Sequence, residues 1–352
     1  MPAMVKKKIL KAPKVIRIGS DFTGTDATNM AMARMFDATK YKYMFASDTL
    51  ENAHKLSAAR KSGNKPETFY HDVCDRVLED VPATDLYTWT PPCTTYSKAG
   101  LNQGINAKAG KLLASGVKYV VAKKPRAAVM ENVPNLLSKK HKHVVKGVNK
   151  ALKKAGYNCY WKKLRASDYE VAQDRDRLFL VVIEKKCQRH EFTWPEPVTP
   201  RVTLADILDP PTPEDNPRRL PHLNSSKELV KVAYNACLAK GIDPMKTPIA
   251  VDIDCGTKYK TYGVNVAKTL TKARGGTGGP WISTRGRRTS ATELMKIQGF
   301  KPCEIPFEAA GLSKAMLGKM LGDAVPVPML GRVMAHAMYS AGVTKDLATF
   351  PV

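Results

Sequence analysis

The sequence predicts an α/β fold, in which a doubly wound sheet is joined to a second, smaller and irregular region. Up to about Lys186, short apolar runs typical of buried strands alternate with segments of helical periodicity, which is the pattern of a doubly wound sheet. From His190 onward, closely spaced prolines interrupt every periodic pattern. A length of 352 residues is also typical of a protein with about two domains.

The first predicted unit is a strand over 15–22, a turn at Thr23-Gly24-Thr25-Asp26 and a helix over 27–35. A strand, a tight glycine turn and a helix open many nucleotide-binding domains. A single glycine is equally compatible with an ordinary connection between a strand and a helix.

Two further predicted strands, 41–48 and 69–73, each end near an acidic residue, Asp48 and Asp72. An acid about 20 residues after the glycine turn commonly binds ribose hydroxyls, and an acid after the next strand can accept a hydrogen bond from a base. Either acid could instead cap a helix. Two acids at successive strand ends favour a nucleoside site.

Cys93 follows the apolar strand 85–90 and two prolines, and precedes a glycine-containing segment, 98–110, that predicts a mobile loop. The carboxyl edge of an open α/β sheet is where ligands bind, and the prolines restrict the backbone before the cysteine. A small buried cysteine in a turn is the alternative interpretation.

Glu131 ends the apolar strand 125–134, where a buried carboxylate needs a partner or a chemical role; a salt bridge is the structural alternative. Arg175 and Arg177 precede the strand 178–183 and, being two residues apart, are predicted to share a face. Alternating charges on a solvated edge would give the same pattern.

The charge is strongly basic, since 57 Lys and Arg residues and 32 Asp and Glu residues give a net charge of +25. Such an excess favours a nucleic-acid partner, because neutralised phosphates release counterions; an anionic membrane surface and simple solubility are alternatives. No apolar run is long enough to span a membrane. Seven scattered cysteines without a CxxC pattern predict a reducing compartment and no metal site.

The region after His190 carries two features that suit nucleic acid. Cations and aromatic residues interleave over 258–262, and Arg274, Gly275 and Gly276 lie in a glycine-rich run, 273–279, that predicts a loop able to approach a duplex. A flexible linker is the alternative for that run. A capping pattern at 287–293 predicts the start of a later helix. The segment 322–328 is predicted to open a last helix over 329–341.

These motifs, in this order, resemble the cytosine-5 DNA methyltransferase family over nearly the whole chain. The resemblance is carried by Phe22-Thr23-Gly24, Pro91-Pro92-Cys93 with Ser97, Glu131-Asn132-Val133, Gln173-x-Arg175-x-Arg177, Arg288 to Phe300, and Gly322-x-x-Val325. It implies a Rossmann-like methyltransferase sheet over 1–189, a target-recognition domain over 190–283, and a return to the catalytic domain over 284–352.

The resemblance also implies the chemistry. Cys93 would add to carbon 6 of a flipped cytosine, Glu131 would protonate or hydrogen-bond N3, Arg177 would hold O2, and Arg175 would orient the ring. Ser97, Arg274, Gly275 and Gly276 would contact DNA.

The implied cofactor is S-adenosyl-L-methionine. The residues assigned to it are Phe22, Thr23, Gly24, Thr25, Asp48, Asp72, Val73, Pro92, Leu112, Asp323 and Val325. The chain departs from the family pattern at Asp26, Ala46, Thr94 and Asp323, and the two aspartates are expected to add negative charge near the methionine end of the cofactor.

The resulting expectation is a DNA (cytosine-5)-methyltransferase that acts on double-stranded DNA as a cytoplasmic, nucleoid-associated monomer. We further expect a prokaryotic or phage-encoded protein that is not secreted, with a possible cognate restriction endonuclease. Two alternatives stay open: a tRNA cytosine-5 methyltransferase of the DNA-methyltransferase-like group, and a catalytically impaired DNA-binding relative.

Overall fold

The computed structural model describes residues 11–61, 63–92, 108–256, 259 and 261–351. Cys93, Ser97 and most of the predicted mobile loop, up to residue 107, lie outside the described residues. No helix in the described part of the chain is long and apolar enough to cross a membrane.

Thirteen strands within the described ranges form three sheets. The strands are β1 (Ile16–Asp21), β2 (Tyr41–Ser47), β3 (Thr68–Tyr70), β4 (Leu86–Trp89), β5 (Ala127–Asn132), β6 (Tyr157–Arg165), β7 (Gln173–Asp174), β8 (Asp176–Glu184), β9 (Ile249–Val251), β10 (Tyr262–Val264), β11 (Ala267–Lys268), β12 (Trp281–Ile282) and β13 (Arg287–Arg288).

Ten α-helices are found among the described residues. The helices are α1 (Ala27–Met35), α2 (Glu51–Ala59), α3 (Lys108–Lys123), α4 (Lys142–Lys154), α5 (Leu204–Ile207), α6 (Asn224–Leu238), α7 (Lys272–Gly276), α8 (Ala291–Ile297), α9 (Lys314–Asp323) and α10 (Val327–Ser340). Because α3 begins at Lys108, the end of the predicted loop is helical.

The main sheet has the order β3-β2-β1-β4-β5-β8-β6. The strands from β3 to β5 are parallel, whereas β8 runs antiparallel to both β5 and β6. The chain passes from β1 to β2 and β3 on one side, then crosses to β4 on the other side of β1. In open α/β sheets, ligands bind at the carboxyl end of the strands at such a reversal.

Each face of this sheet has its own apolar core, because successive strand residues point to opposite faces. Phe179, Val181 and Ile183 pack with α1, α9 and α10, whereas Leu180 and Val182 pack with α3 and α4. All five side chains are fully buried. This confirms the predicted doubly wound arrangement with helices on both faces.

A smaller antiparallel sheet, with the order β10-β9-β12-β13, lies within residues 249–288. It packs against α6 through Leu229, Val230 and Trp281. A smaller unit was predicted after His190, but it is more regular than expected. The prolines precede the sheet instead of running through it, and Phe192 packs into the core of the main sheet.

Two local predictions were wrong. The run predicted as a glycine loop contains α7, whose N-terminus is capped by the Thr271 side chain accepting from the Arg274 amide. Gly322 and Asp323 were predicted to open the last helix, but they end α9 and a break at Ala324 precedes α10. The capping box predicted near residue 290 is present between Ser290 and Glu293.

Candidate active site at the carboxyl edge of the sheet

The segment that leads to Cys93 is anchored from both neighbouring strands. After β4, the Thr90 amide donates to the Asp21 carbonyl at 3.3 Å and its Oγ1 donates to the Phe22 carbonyl at 2.9 Å. From β5, the buried Asn132 Nδ2 donates to the Pro91 carbonyl at 3.1 Å. The last described residues before Cys93 therefore lie at the reversal of strand order, beside the glycine turn that follows β1.

Glu131 and Arg177 form an ion pair at this edge. Arg177 Nε lies 2.7 Å from Glu131 Oε1, and the two side chains are 11% and 9% exposed. Burial raises the pKa of the Glu131 carboxyl, while the charges of Arg177 and Arg175 oppose that increase. Thus Glu131 takes part in the salt bridge that was its structural alternative, yet it accepts a proton more readily than a solvated glutamate.

Arg175 has a different environment from the predicted one. It lies between β7 and β8, is 1% exposed, and its two Nη atoms donate to the carbonyls of Leu270, Gly322 and Ala324. These bonds tie the main sheet to the C-terminal end of α9 and to the segment before α7. The role of Arg175 in orienting a base stays a prediction.

The turn after β1 is held by hydrogen bonds to residues at the end of β2, and the surface of the turn at Gly24 is open. Thr23 Oγ1 donates to the Ser47 carbonyl at 3.0 Å, and the Gly24 amide donates to Asp48 Oδ2 at 2.7 Å. Gly24 has a φ of +53°, and a side chain added there would meet no atom within 4 Å. A ligand can therefore lie directly against this backbone. Thr25 is buried below the turn.

Asp48 anchors the turn and also the start of α2. Its Oδ1 accepts from the Leu50 amide at 2.8 Å, and burial raises the pKa of its carboxyl. A carboxylate offers about four acceptor positions, so these two bonds leave capacity for hydroxyl groups. The alternative that Asp48 caps the helix is wrong, because the N-cap of α2 is Leu50 and no side chain caps it. The predicted ligand role is compatible with this arrangement.

The remaining residues assigned to a cofactor surround the same edge. Asp72 lies after β3, where its Oδ1 accepts from the Cys74 amide at 2.8 Å, and Val73 adjoins it. Leu112 is half-buried on α3. Asp323 lies 3.4 Å from Lys272 Nζ and its charge helps to raise the pKa of Glu131, while Val325 is buried.

Sequence reasoning missed two buried arginines that neutralise acids beside the turn. Arg60 Nη1 lies 2.8 Å from Asp26 Oδ2, with both side chains 3% exposed. Arg76 binds both oxygens of the fully buried Asp21, at 2.7 and 2.5 Å. The expected extra negative charge at Asp26 is therefore balanced. A buried acid signals that a partner exists, but nothing local identifies which arginine supplies it.

The three residues predicted to approach DNA from a loop lie in helix α7, and their contact with DNA stays a prediction. Arg274 Nε donates to Asp252 Oδ2 at 2.9 Å. A side chain on Gly275 would lie 1.9 Å from the Gly318 carbonyl, and one on Gly276 would lie 2.9 Å from the Lys319 side chain. The glycines thus allow α7 to pack closely on α9, which is a packing role inside the protein.

Comparison with known proteins agrees with this architecture. Residues 22–338 match the family model of the C-5 cytosine-specific DNA methylase. The chain belongs to the C-5 cytosine-specific DNA methylase family. This confirms the predicted family and the enzyme class, a DNA cytosine methyltransferase, and the wide match agrees with the order of motifs along the chain.

Curated relatives are methyltransferases of the same type. The Type II methyltransferase M.Bsp6I of Bacillus sp. (strain RFL6) is 26% identical over 91% of this chain and 97% of its own length. The Type II methyltransferase M.HgiCII of Herpetosiphon aurantiacus is 35% identical, but over 47% of this chain and 38% of its own length. The chain thus aligns with less than half of one relative and with nearly all of the other.

Among solved structures, a putative DNA modification methyltransferase encoded within an E. coli prophage has a TM-score of 0.66. The match covers 92% of this chain and 98% of that chain at 15% identity. A similarity at this identity concerns the fold, and it confirms the predicted fold class of a Rossmann-like sheet with a smaller second sheet.

Proposed function

We propose that this chain transfers a methyl group from S-adenosyl-L-methionine to carbon 5 of a flipped-out cytosine in double-stranded DNA, through a covalent Cys93 adduct. The observation that carries the proposal is the buried Glu131–Arg177 pair at the same sheet edge as Pro91. A carboxyl whose pKa is raised by burial is suited to protonate a ring nitrogen.

The cofactor assignment rests on how well the residues suit an adenosyl group with an amino-acid end. The open backbone at Gly24 can lie against the ligand, Asp48 can accept from ribose hydroxyls, and Asp72 with Val73 can meet the adenine. Phe22, Thr23, Thr25, Pro92, Leu112, Asp323 and Val325 complete the assigned set. When bound, S-adenosylmethionine supplies an electrophilic methyl group.

The reaction that we assign to the protein side chains begins when a thiolate attacks the base and a carboxyl group donates a proton to it. The Cys93 thiolate forms a bond to carbon 6, Glu131 donates a proton to N3, and carbon 5 becomes nucleophilic. Arg177 holds Glu131 in position and is assigned the contact with O2. After carbon 5 has taken the methyl group, a base removes the proton of carbon 5 and that electron pair restores the double bond. The Cys93 sulfur leaves as a thiolate, and N3 returns its proton to Glu131.

The burial of Glu131 supports the proposal of base flipping. Glu131 is 7% exposed, so a cytosine stacked within a duplex cannot bring N3 to it, and enzymes that modify bases take the base out of the stack. Ser97 is assigned to the DNA backbone by resemblance alone.

The proposed division of labour assigns 1–189 and 284–352 to catalysis and cofactor binding, and 190–283 to target recognition. It is supported by the main sheet lying before residue 189 and by α10 packing on α1 and β5. The second sheet extends to Arg288, so the last boundary cuts between its two final strands. A monomeric state and a partner endonuclease stay predictions.

The test is covalent trapping on a duplex that contains 5-fluorocytosine, with S-adenosylmethionine present. The wild-type protein should form an adduct that resists denaturation, and Cys93→Ser should form none. Bisulfite sequencing of DNA and RNA from expressing cells should find protected cytosines in DNA. An adduct that persists in Cys93→Ser, or protection confined to RNA, would contradict the proposal.

A further inference from the structure

The most cationic element in the described structure is α4, which lies on the sheet face opposite the one covered by α10. Val144, Val148 and Leu152 bury one side of the helix against the sheet. The opposite side exposes a column of four lysines, each one turn after the last: Lys142, Lys146, Lys150 and Lys154. We call these four residues the α4 lysine column.

Among the described residues, the elements that pack directly on α4 carry no acid. Between Asp85 and Asp168 the sequence has one acid, Glu131, which is buried at the other end of β5. The elements that pack on α4 are α3, β6 and the turns over 134–141, and their sequences contain only neutral and basic residues. Among the described residues, no lysine of the column forms an ion pair.

This contrasts with the opposite end of the main sheet. There, Lys42 lies 2.5 Å from Glu67 and Lys55 lies 2.8 Å from Glu51. Near β6, Lys163 and Arg165 also pair with Asp176. These exposed surfaces therefore carry both positive and negative side chains, whereas the exposed face of α4 carries only positive ones.

The column works against the isolated helix. Like charges at positions i and i+4 repel and destabilise a helix, and the first turn of α4 has no acid to favour the positive end of its dipole. An external polyanion reverses the sign of these interactions, because each lysine then meets a phosphate instead of another lysine.

The dimensions suit a duplex. Twelve residues separate the ends of the column, which is roughly 18 Å at 1.5 Å per residue and corresponds to about five base pairs of duplex axis. The column begins at Lys142, close after the Glu131 end of β5, and extends away from that edge. It is thus positioned to follow DNA that leaves the proposed active site.

We propose that the α4 lysine column binds the phosphates of duplex DNA flanking the methylation target. The inference rests on the proposed function for the position of the target, but the binding itself does not require catalysis. It assigns to α4 a sequence-independent contact that increases affinity for long DNA. The family match does not by itself predict this contact.

The experiment compares two triple variants of the full chain. Lys146→Gln/Lys150→Gln/Lys154→Gln removes the three lysines of the column that follow Lys142. Lys40→Gln/Lys55→Gln/Lys61→Gln removes the same charge from exposed sites around α2 at the other end of the sheet. Dissociation constants are measured by fluorescence anisotropy against salt, on target duplexes of about one and about ten helical turns (roughly 10 and 100 base pairs).

The column variant should lose affinity for the long duplex roughly 10-fold or more at low salt, and its slope of log K against log salt should fall by up to about 3, at about 0.9 per lost phosphate contact. The control variant should match the wild type. Equal behaviour of the two variants would overturn the inference, as would a loss seen only with single-stranded RNA or with anionic vesicles. Circular dichroism confirms that both variants are folded.

The result is separable from the proposed function. If the wild-type protein forms no trapped adduct but the column variant loses long-duplex binding, the inference about α4 stands alone. If trapping succeeds and the two variants bind alike, the inference fails while the proposed function stands.

Discussion

The buried pair between Arg60 and Asp26 offers a direct test of how the glycine turn after β1 is stabilised. Arg60→Met keeps an apolar side chain of useful length but leaves the Asp26 carboxylate without its cation. Both side chains are 3% exposed and 2.8 Å apart, so solvent does not screen the loss. Breaking such a pair from one side typically costs about 3–5 kcal/mol in the free energy of unfolding.

The cost should depend on pH in a defined direction. Burial already raises the pKa of Asp26 even though Arg60 opposes the increase, so removal of Arg60 raises it further. A carboxyl whose folded-state pKa is raised binds more protons when folded, and its unfavourable effect on stability grows as pH rises above the unfolded value. The deficit of Arg60→Met relative to the wild type should therefore be smaller at pH 5 than at pH 8.

A second substitution separates charge from packing. Asp26 has a φ of 62° and its Oδ1 caps α1 by accepting from the Asn29 amide; asparagine tolerates this conformation and keeps the acceptor. Asp26→Asn/Arg60→Met should therefore recover about 2 kcal/mol relative to Arg60→Met and lose its pH dependence, as residues in direct contact commonly couple.

The assay is urea unfolding at pH 5 and pH 8 of the wild type, both single variants and the double variant. Parallel titration of S-adenosylmethionine reports whether the turn still binds ligand. If Arg60→Met and the double variant are equally unstable at both pH values, the pair does not act by compensating charge, and the reasoning about the turn is refuted.

Three further outcomes are expected. The rate of methylation by the wild type should decline as pH rises through the raised pKa of Glu131, because the protonated carboxyl is the donor. Glu131→Gln should methylate slowly and should not show that decline. A Gln variant with the wild-type pH profile would count against the assignment. Gly275→Ala should destabilise the protein, since the new methyl group would meet the Gly318 carbonyl, whereas Gly147→Ala in open space on α4 should stabilise it by about 0.5–1 kcal/mol; urea midpoints that move together would contradict this. Asn132→Ala should reduce the rate of methylation roughly 10-fold or more with little effect on S-adenosylmethionine affinity, because a small misplacement of a reacting group is costly; an unchanged single-turnover rate would show that the Pro91 anchor is dispensable.

Sequence periodicity and local chemistry determined most of the secondary structure. The first helix was predicted over 27–35 and occupies Ala27–Met35. The capping box at Ser290 was readable because its two partners are three residues apart. Elements of this kind depend on side chains within a few residues of each other, and such neighbours are visible without knowledge of the fold.

The chemistry at the sheet edge was also indicated by the sequence. Glu131 ends a strand of apolar residues, so its burial and its need for a partner were predictable from residue type. The family resemblance supplied Arg177 as a candidate near it. The distance between the two side chains, and the direction in which burial moves the pKa of the carboxyl, needed the packed structure.

What only the tertiary structure decided is which distant groups meet. Arg60 binds Asp26, Arg76 binds Asp21, and Arg175 binds carbonyls near residues 270 and 322. Each of these contacts joins residues that are distant from each other in the sequence. Burial removes water as an alternative partner, so the fold must provide one, and only the packing of the chain determines which residue that is.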